Sequence, residues 1–264
     1  ADGILWGRGA VDMKSGVAAF AAAAVELVET APPAGSITLM ITGDEEGPSR
    51  DGTIAILDWM AENGEGADFC IVGEPTSVSR LGDTVKIGRR GSMSGTLTVR
   101  GRQGHTAYPE RAENPLPVLA RIATALADTP LDEGTEHFQA STLALASIDT
   151  GNPVSNVIPA EGRAVFNIRF NDLHTSESLK GWVDAIVAKG LEGTECTAEV
   201  SWAVSGESFL TAPGPVTAVV VDTVAEMMQR RPALTTGGGT SDARFVKDIC
   251  PVVELGRVGD CMHA

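Results

Sequence analysis

Basic residues are scarce in this chain. Its 20 Lys and Arg stand against 35 Asp and Glu, a formal charge of −15 over 264 residues. A nucleic-acid partner needs a basic face, so this balance speaks against one, although a local basic pocket can sit inside an acidic shell. Cysteine is sparse too. Cys70, Cys196, Cys250 and Cys261 are scattered and form no CxxC pair, which argues against a disulfide framework and for a reducing compartment, so a cytoplasmic location is expected. Long apolar runs are missing. The longest bland stretch, residues 17–28, is alanine-rich and broken by Glu26, and it reads as a packed helix, not a membrane span. The opening residues do not resemble a signal peptide, and there is no internal repeat. What remains is ordinary for a globular protein: 43% hydrophobic and 21% charged residues, in a chain long enough for one large domain or two modest ones.

The first third alternates between strand-like and helix-like segments. Residues 4–6 suggest a short strand running into a glycine turn, and residues 15–29 are strong helix formers that stop before Pro32 and Pro33. The apolar, partly β-branched run 37–41 predicts a buried strand, 52–62 a helix, and 69–72 another buried strand. This order predicts an α/β sheet with parallel neighbours. The middle differs. Strand patterns near 94–100, 141–148, 162–169 and 197–202 enclose helices at 115–127 and 176–188, giving β-α-β-β-α-β, the order of a split βαβ (ferredoxin-like) sandwich. The α/β character returns after Pro213, with a helix from Pro215, a Gly237-Gly238-Gly239 loop and a strand over 252–255. We therefore expect a catalytic domain formed by residues 1–86 and 209–264, with a second domain, 87–208, inserted between its parts.

Ligands of open α/β sheets bind beyond the carboxyl ends of the strands, and here those ends are acidic. Asp12 precedes the first helix, Glu45 and Glu46 follow the second strand, Glu74 follows the third, and His263 follows the last. Clustered carboxylates raise one another's pKa. A divalent cation removes that conflict, and oxygen ligands with one histidine suit zinc, manganese or cobalt. Glu45 and Glu46 are adjacent and cannot easily share a role, so one can bind metal while the other serves as a general base. Taken singly, each acidic residue is more often a helix cap or a solvated loop charge than a metal ligand; it is their recurrence at successive strand ends that points to a metal site.

The segments GRGAVDMK (7–14), TGDEE (42–46), VGEPT (72–76), GRRGS (88–92), GRQGHTAYP (101–109), NVIPA (156–160), NIR (167–169) and GGGTSDAR (237–244) run through nearly the whole chain in order. Together they resemble the aminoacylase/carboxypeptidase family of co-catalytic metallohydrolases. The resemblance implies a zinc-peptidase-like catalytic domain carrying an inserted lid and dimerisation domain. It implies two zinc ions, with cobalt or manganese as substitutes: Asp12 bridging them, Glu74 on one, Glu46 and His263 on the other. Glu45 is then the base and His105, reaching a partner protomer's site in a homodimer, the oxyanion donor.

The GRRGS and GGGTSDAR segments favour a member that hydrolyses the amide of N-succinyl-LL-2,6-diaminopimelate in lysine and diaminopimelate biosynthesis. Arg89, Arg90 and Arg169 are candidate carboxylate partners or surface ion pairs. Gly239, Thr240 and Ser241 can offer N–H groups and hydroxyls to an anion, or form a flexible turn. Asn156 can donate to the oxyanion or cap a turn, and Tyr108, the only tyrosine, can line the site beside His105. The family's upstream His-x-Asp segment and closing helix are not matched. The 264 residues are therefore expected to be a piece that, alone, neither holds two metals tightly nor turns over substrate. The alternatives are a sister deacylase such as an acetylornithine deacetylase, and an inactive binding protein on the same fold, whose mark would be loss of Glu45. A dinucleotide-binding protein is a weaker rival, because Gly7 and Gly9 lack a third glycine at the required spacing.

Overall fold

The computed structural model describes Gly3, residues 5–47 and residues 49–259. The chain forms two compact units, Ala1–Arg89 with Phe209–Ala264, and Arg90–Ser208. We call them the outer and the inserted unit.

The outer unit passes through a π-type turn at Ala10–Lys14 into α1 (Ser15–Thr30). The alanine-rich sequence favours helix until Pro32 and Pro33, which cannot continue it. Next come α2 (Thr53–Glu62), β1 (Cys70–Val72), β2 (Thr84–Lys86) and β3 (Gly88–Arg89). The inserted unit holds β4 (Gly91–Arg100), β5 (Gly104–His105), α3 (Pro115–Asp128), β6 (Thr142–Asp149), β7 (Val157–Ile158), β8 (Glu161–Phe170), α4 (Ser176–Leu191) and β9 (Thr197–Gly206). The outer unit then resumes with β10 (Phe209–Leu210), α5 (Pro215–Met228), β11 (Ala233–Thr235), α6 (Ala243–Val246) and β12 (Val252–Glu254).

The inserted sheet runs β6-β8-β4-β9, with every neighbouring pair antiparallel. With α3 and α4 as its two crossovers, this is the ferredoxin-like arrangement. Asn114 caps α3, its Oδ1 accepting from the Leu116 N–H at 3.1 Å. Val118, Leu119, Ile122, Ala123 and Leu126 form the helix's buried face, and α4 contributes Leu179, Val183 and Val187. Phe166 is fully buried, meets Trp202 edge-on with ring centroids 5.6 Å apart, and pairs across the strands with Gly95. A Cβ at Gly95 would lie 2.3 Å from that ring, so a residue with no side chain makes room for a large one.

The outer sheet runs β1-β12-β2-β11. β1 lies parallel to β12 and β11 parallel to β2, but β12 meets β2 antiparallel at Glu254 and Lys86. The expected parallel sheet is thus mixed, and strands of three residues such as β2 and β11 are too short to show a period. Val85, Ile87, Val220, Val224 and Val253 form one core cluster. Phe209, Ala243, Val246, Cys250 and Val252 form another. The strand expected over 37–41 is not formed among the described residues, where Leu39 and Ile41 stand 47% and 64% exposed. Leu5 and Trp6 likewise belong to no strand. No helix among the described residues is long and apolar enough to cross a membrane.

Candidate active site

Glu45 and Glu46 ride on a loop that holds its own shape. Asp44 takes the left-handed conformation (φ 66°), which its short polar side chain tolerates better than most. Its carboxylate accepts from the backbone N–H groups of Arg50 at 2.7 Å and Asp51 at 3.4 Å, and its carbonyl accepts from those of Gly47 and Ser49, each at 3.2 Å. The Arg50 N–H is the main cause holding the Asp44 carboxyl below its ordinary pKa. A Cβ at Gly52 would fall 2.3 Å from the Gly43 carbonyl oxygen, so only glycine lets the two arms close. The Ser49 hydroxyl bonds the Glu45 carbonyl at 3.3 Å.

Burial raises the pKa of half-buried Glu45, and Asp242, Glu46 and Asp12 add to it, while Arg244 opposes the rise. Glu74, just beyond β1, is pushed up to about 8 by burial and then by Glu45, Asp12 and Glu254, against the pull of Arg89. Its segment is fastened to the end of β12: the Gly256 N–H donates to Thr76 Oγ1 at 3.0 Å and Ser77 Oγ donates to the Gly256 carbonyl at 2.7 Å. Asp12, Glu45 and Glu254 thus act electrostatically on Glu74, and Asp12 and Glu46 act on Glu45. Even so, no three His, Cys, Asp or Glu among the described residues stand in an arrangement that holds a metal ion. His263 lies outside the described residues. The donor chemistry suits a hard divalent cation, because oxygen ligands that raise one another's pKa would gain from a positive charge placed among them.

The glycine-rich loop is anchored from below. Arg89 and Glu254 form a buried ion pair, 7% and 1% exposed. Arg89 Nε donates to Glu254 Oε1 at 2.8 Å, and Nη1 donates to the Gly239 carbonyl at 2.8 Å. Ser241 donates to Glu254 Oε1 at 2.6 Å, and Lys86 donates to the Gly237 carbonyl. The anion that Arg89 meets in this structure is therefore Glu254, and the Ser241 hydroxyl proton faces inward. Thr240 is half-buried and Gly239 exposed. The sequence reading missed Lys86, Glu254, Asp242 and Arg244. Only Glu254 carried a signal, as a carboxylate inside an apolar strand, a position charges rarely occupy unpaired.

The inserted unit gathers the remaining candidates into two places. β5 pairs with β7 through His105 and Val157, and the Thr106 N–H donates to the Asn156 carbonyl at 3.0 Å. His105, Tyr108 and Asn156 so share one exposed corner, the His105 and Tyr108 rings 6.0 Å apart. The Ala107 N–H donates to His105 Nδ1 at 3.0 Å, which puts a neutral ring's proton on Nε2, free to donate. In the other place, Arg169 lies beside Arg90. Burial and then the Arg90 charge lower its pKa. Its Nε donates to Asn167 Oδ1 at 3.0 Å, while the Arg90 Nε is buried without a hydrogen-bond partner. Two crowded guanidinium groups form a place for an anion.

Comparison with known proteins places the chain. Residues 1–264 match the family model described as Peptidase family M20/M25/M40. A succinyl-diaminopimelate desuccinylase from Paracoccus denitrificans is 58% identical over 264 residues, covering 100% of this chain and 69% of that protein. One from Rhodospirillum centenum is 59% identical over 263 residues, covering 99% of this chain and 67% of that protein. A solved tripeptidase from Staphylococcus aureus matches with a TM-score of 0.74 at 21% identity, over 94% of this chain and 62% of its own, a likeness of fold. The resemblance drawn from the motifs is confirmed: with its whole length matched, the chain belongs to peptidase family M20/M25/M40, a family of metal-dependent hydrolases.

Proposed function

We propose that this chain is part of a metal-dependent amidohydrolase that cleaves N-succinyl-LL-2,6-diaminopimelate to succinate and LL-2,6-diaminopimelate. The observation that carries the reading is 58–59% identity with named desuccinylases over essentially the whole chain. Asp12, Glu74 and Glu46 with His263 are the residues that would hold two divalent ions, zinc first, cobalt or manganese as substitutes. When bound, such ions polarise a carbonyl and make water more acidic. Glu45 takes a proton from the attacking water and passes it to the leaving amine. Its raised pKa suits a base working near neutrality. His105 donates from Nε2 to the developing oxyanion in the site of a second protomer, in a homodimer built through the inserted unit. Arg90 and Arg169 take the substrate's carboxylates, which supply the anion their crowding lacks. Tyr108 and Asn156 flank His105, and Gly239, Thr240 and Ser241 border the site on the outer unit. The metals stand in a cytoplasmic enzyme of diaminopimelate biosynthesis.

The test compares hydrolysis of N-succinyl- and N-acetyl-diamino acids by the full-length protein, alongside Glu45→Gln. The succinyl substrate is expected to win. Glu45→Gln should lose about 10²–10⁴-fold in kcat at unchanged metal content. Preference for the acetyl substrate would make the protein a sister deacylase, and a retained rate would remove Glu45 from the base role.

A further inference from the structure

Two distant sequence segments meet at the loop that carries Glu45. The loop's inner hydrogen bonds all come from residues 44–51, chiefly Asp44 and Ser49. Its tethers to the rest of the unit come from the start of α6. Thr53, at the exit of the loop and 4% exposed, donates through Oγ1 to Asp242 Oδ2 at 2.6 Å. Arg244 Nη2 donates to Ser49 Oγ at 3.0 Å, and Ser49 Oγ in turn bonds the carbonyls of Asp44 and Glu45, each at 3.3 Å. A continuous chain therefore leads from the Arg244 guanidinium to the backbone of Glu45. The guanidinium is itself fixed, lying 4.6 Å from the centroid of the Phe245 ring.

Each of these two residues keeps a polar atom in reserve. Asp242 is 9% exposed, yet its Oδ1 has no hydrogen-bond partner, and neither does the buried Arg244 Nε. A buried carboxylate oxygen left unsatisfied costs about 1–3 kcal/mol, and a purely structural contact would avoid it.

We infer that Asp242 and Arg244 are positioning residues that hold the Glu45 loop in its working geometry, clamping it through Thr53 and Ser49. This deepens the proposed hydrolase reading and rests on Glu45 being the base. Glu254 and Arg89 anchor the near end of the 237–244 segment, so the clamp is rigid: one segment borders the substrate and also sets the base. A small displacement of a catalytic group can cost about 10²-fold in rate, and side chains two bonds away are enough to cause it.

The experiment uses the full-length, metal-loaded protein. Arg244→Ala, Arg244→Lys, Asp242→Ala and Ser49→Ala are compared with wild type and Glu45→Gln for kcat, KM, bound metal and Tm. Arg244→Ala and Asp242→Ala should each lower kcat by about 10–100-fold, with KM within about twofold and metal content unchanged. Arg244→Lys keeps a donor for Ser49 and should recover much of the loss. Ser49→Ala cuts the same chain from the loop side and should mimic Arg244→Ala, which keeps the test decisive if the arginine variant does not fold. Unchanged kcat in Ser49→Ala and Asp242→Ala, with Glu45→Gln slow, would overturn the clamp and leave the base in place. Loss of metal, or a change in KM alone, would overturn it as well. A fast Glu45→Gln would instead remove the reading on which the clamp rests.

Discussion

The inserted and outer units treat apolar surface in opposite ways. In the inserted unit both helices lie on the sheet, and Met93, Leu97, Leu119, Ile122, Phe166, Ile168 and Leu179 form one continuous core. In the outer unit α1 buries no residue, α2 buries only Thr53, and the run 37–41 stands open beside Ile56, Trp59 and Met60 around a cavity of about 510 Å³. An apolar helix in water normally gains its stability from packing. The inserted unit therefore satisfies its sequence among the described residues, while the outer unit holds apolar surface that they do not cover. The chain spans about two thirds of the length of its relatives.

The largest expected effects probe what holds each unit together. Phe166→Ala in the inserted unit should cost about 3–5 kcal/mol, read as a fall in denaturant midpoint at constant slope. The comparable change in the outer unit is polar. Glu254→Ala strands the buried Arg89 charge and should cost about 3–5 kcal/mol, with the 237–241 loop freed to exchange its amide hydrogens. If Glu254→Ala costs under about 1 kcal/mol, the outer unit does not depend on that ion pair. If Phe166→Ala is mild, the contrast between the units fails from the other side.

How legible the fold was follows the same division. The inserted unit's strands and helices are long and periodic, so β4, β6, β8, β9, α3 and α4 could all be read from the pattern of apolar residues. In the outer unit α1 and α2 were legible from helix formers and stop signals. Yet β2, β3, β10 and β11 are two or three residues long, which is below any period, and the antiparallel contact of Glu254 with Lys86 depends on tertiary order. Asp12, Glu45, Glu46 and Glu74 were legible as acids after expected strands, but among the described residues only Glu74 follows a strand, since Leu5, Trp6 and the run 37–41 form none. Their support was not legible: Asp242 and Arg244 act through Thr53 and Ser49, nearly two hundred positions away, and only the folded chain brings them together. His263 lies outside the described residues.

A smaller effect separates the units by pH. Burial by itself would raise the Asp132 carboxyl, but hydrogen bonds from Ser141, the Gly134 N–H and Asn171 outweigh it and hold the pKa at about 2, below the ordinary 3.8. A carboxylate lowered on folding stabilises above its unfolded pKa, and that contribution disappears as pH falls through the folded value. The inserted unit should therefore lose stability between about pH 4 and pH 2. Asp132→Asn should flatten that slope, as measured by denaturation at each pH. Glu74 has the opposite sign. Raised to about 8, it disfavours the metal-free outer unit as pH climbs from 4.5 to 8, and Glu74→Gln should remove that decline.

The smallest expected effect tests the contrast most directly. Val25 and Val28 on α1 are 57% and 52% exposed. In the 264-residue chain, Val28→Ser should change stability by no more than about 0.5 kcal/mol, the usual range for a surface position. Thr175→Ala, which removes the capping box at the start of α4, should cost about 1 kcal/mol and serves as the yardstick in the same chain. In the full-length protein the serine should cost more, because burying a valine fully is worth about 1.5–3 kcal/mol, and a hydroxyl introduced there would need a partner. A cost that rises with chain length would show that the bare face of α1 is an interface waiting for further sequence. An equal, small cost in both chains would show that α1 lies open to solvent, and that the outer unit is held by β12, its ion pair and its two small clusters alone.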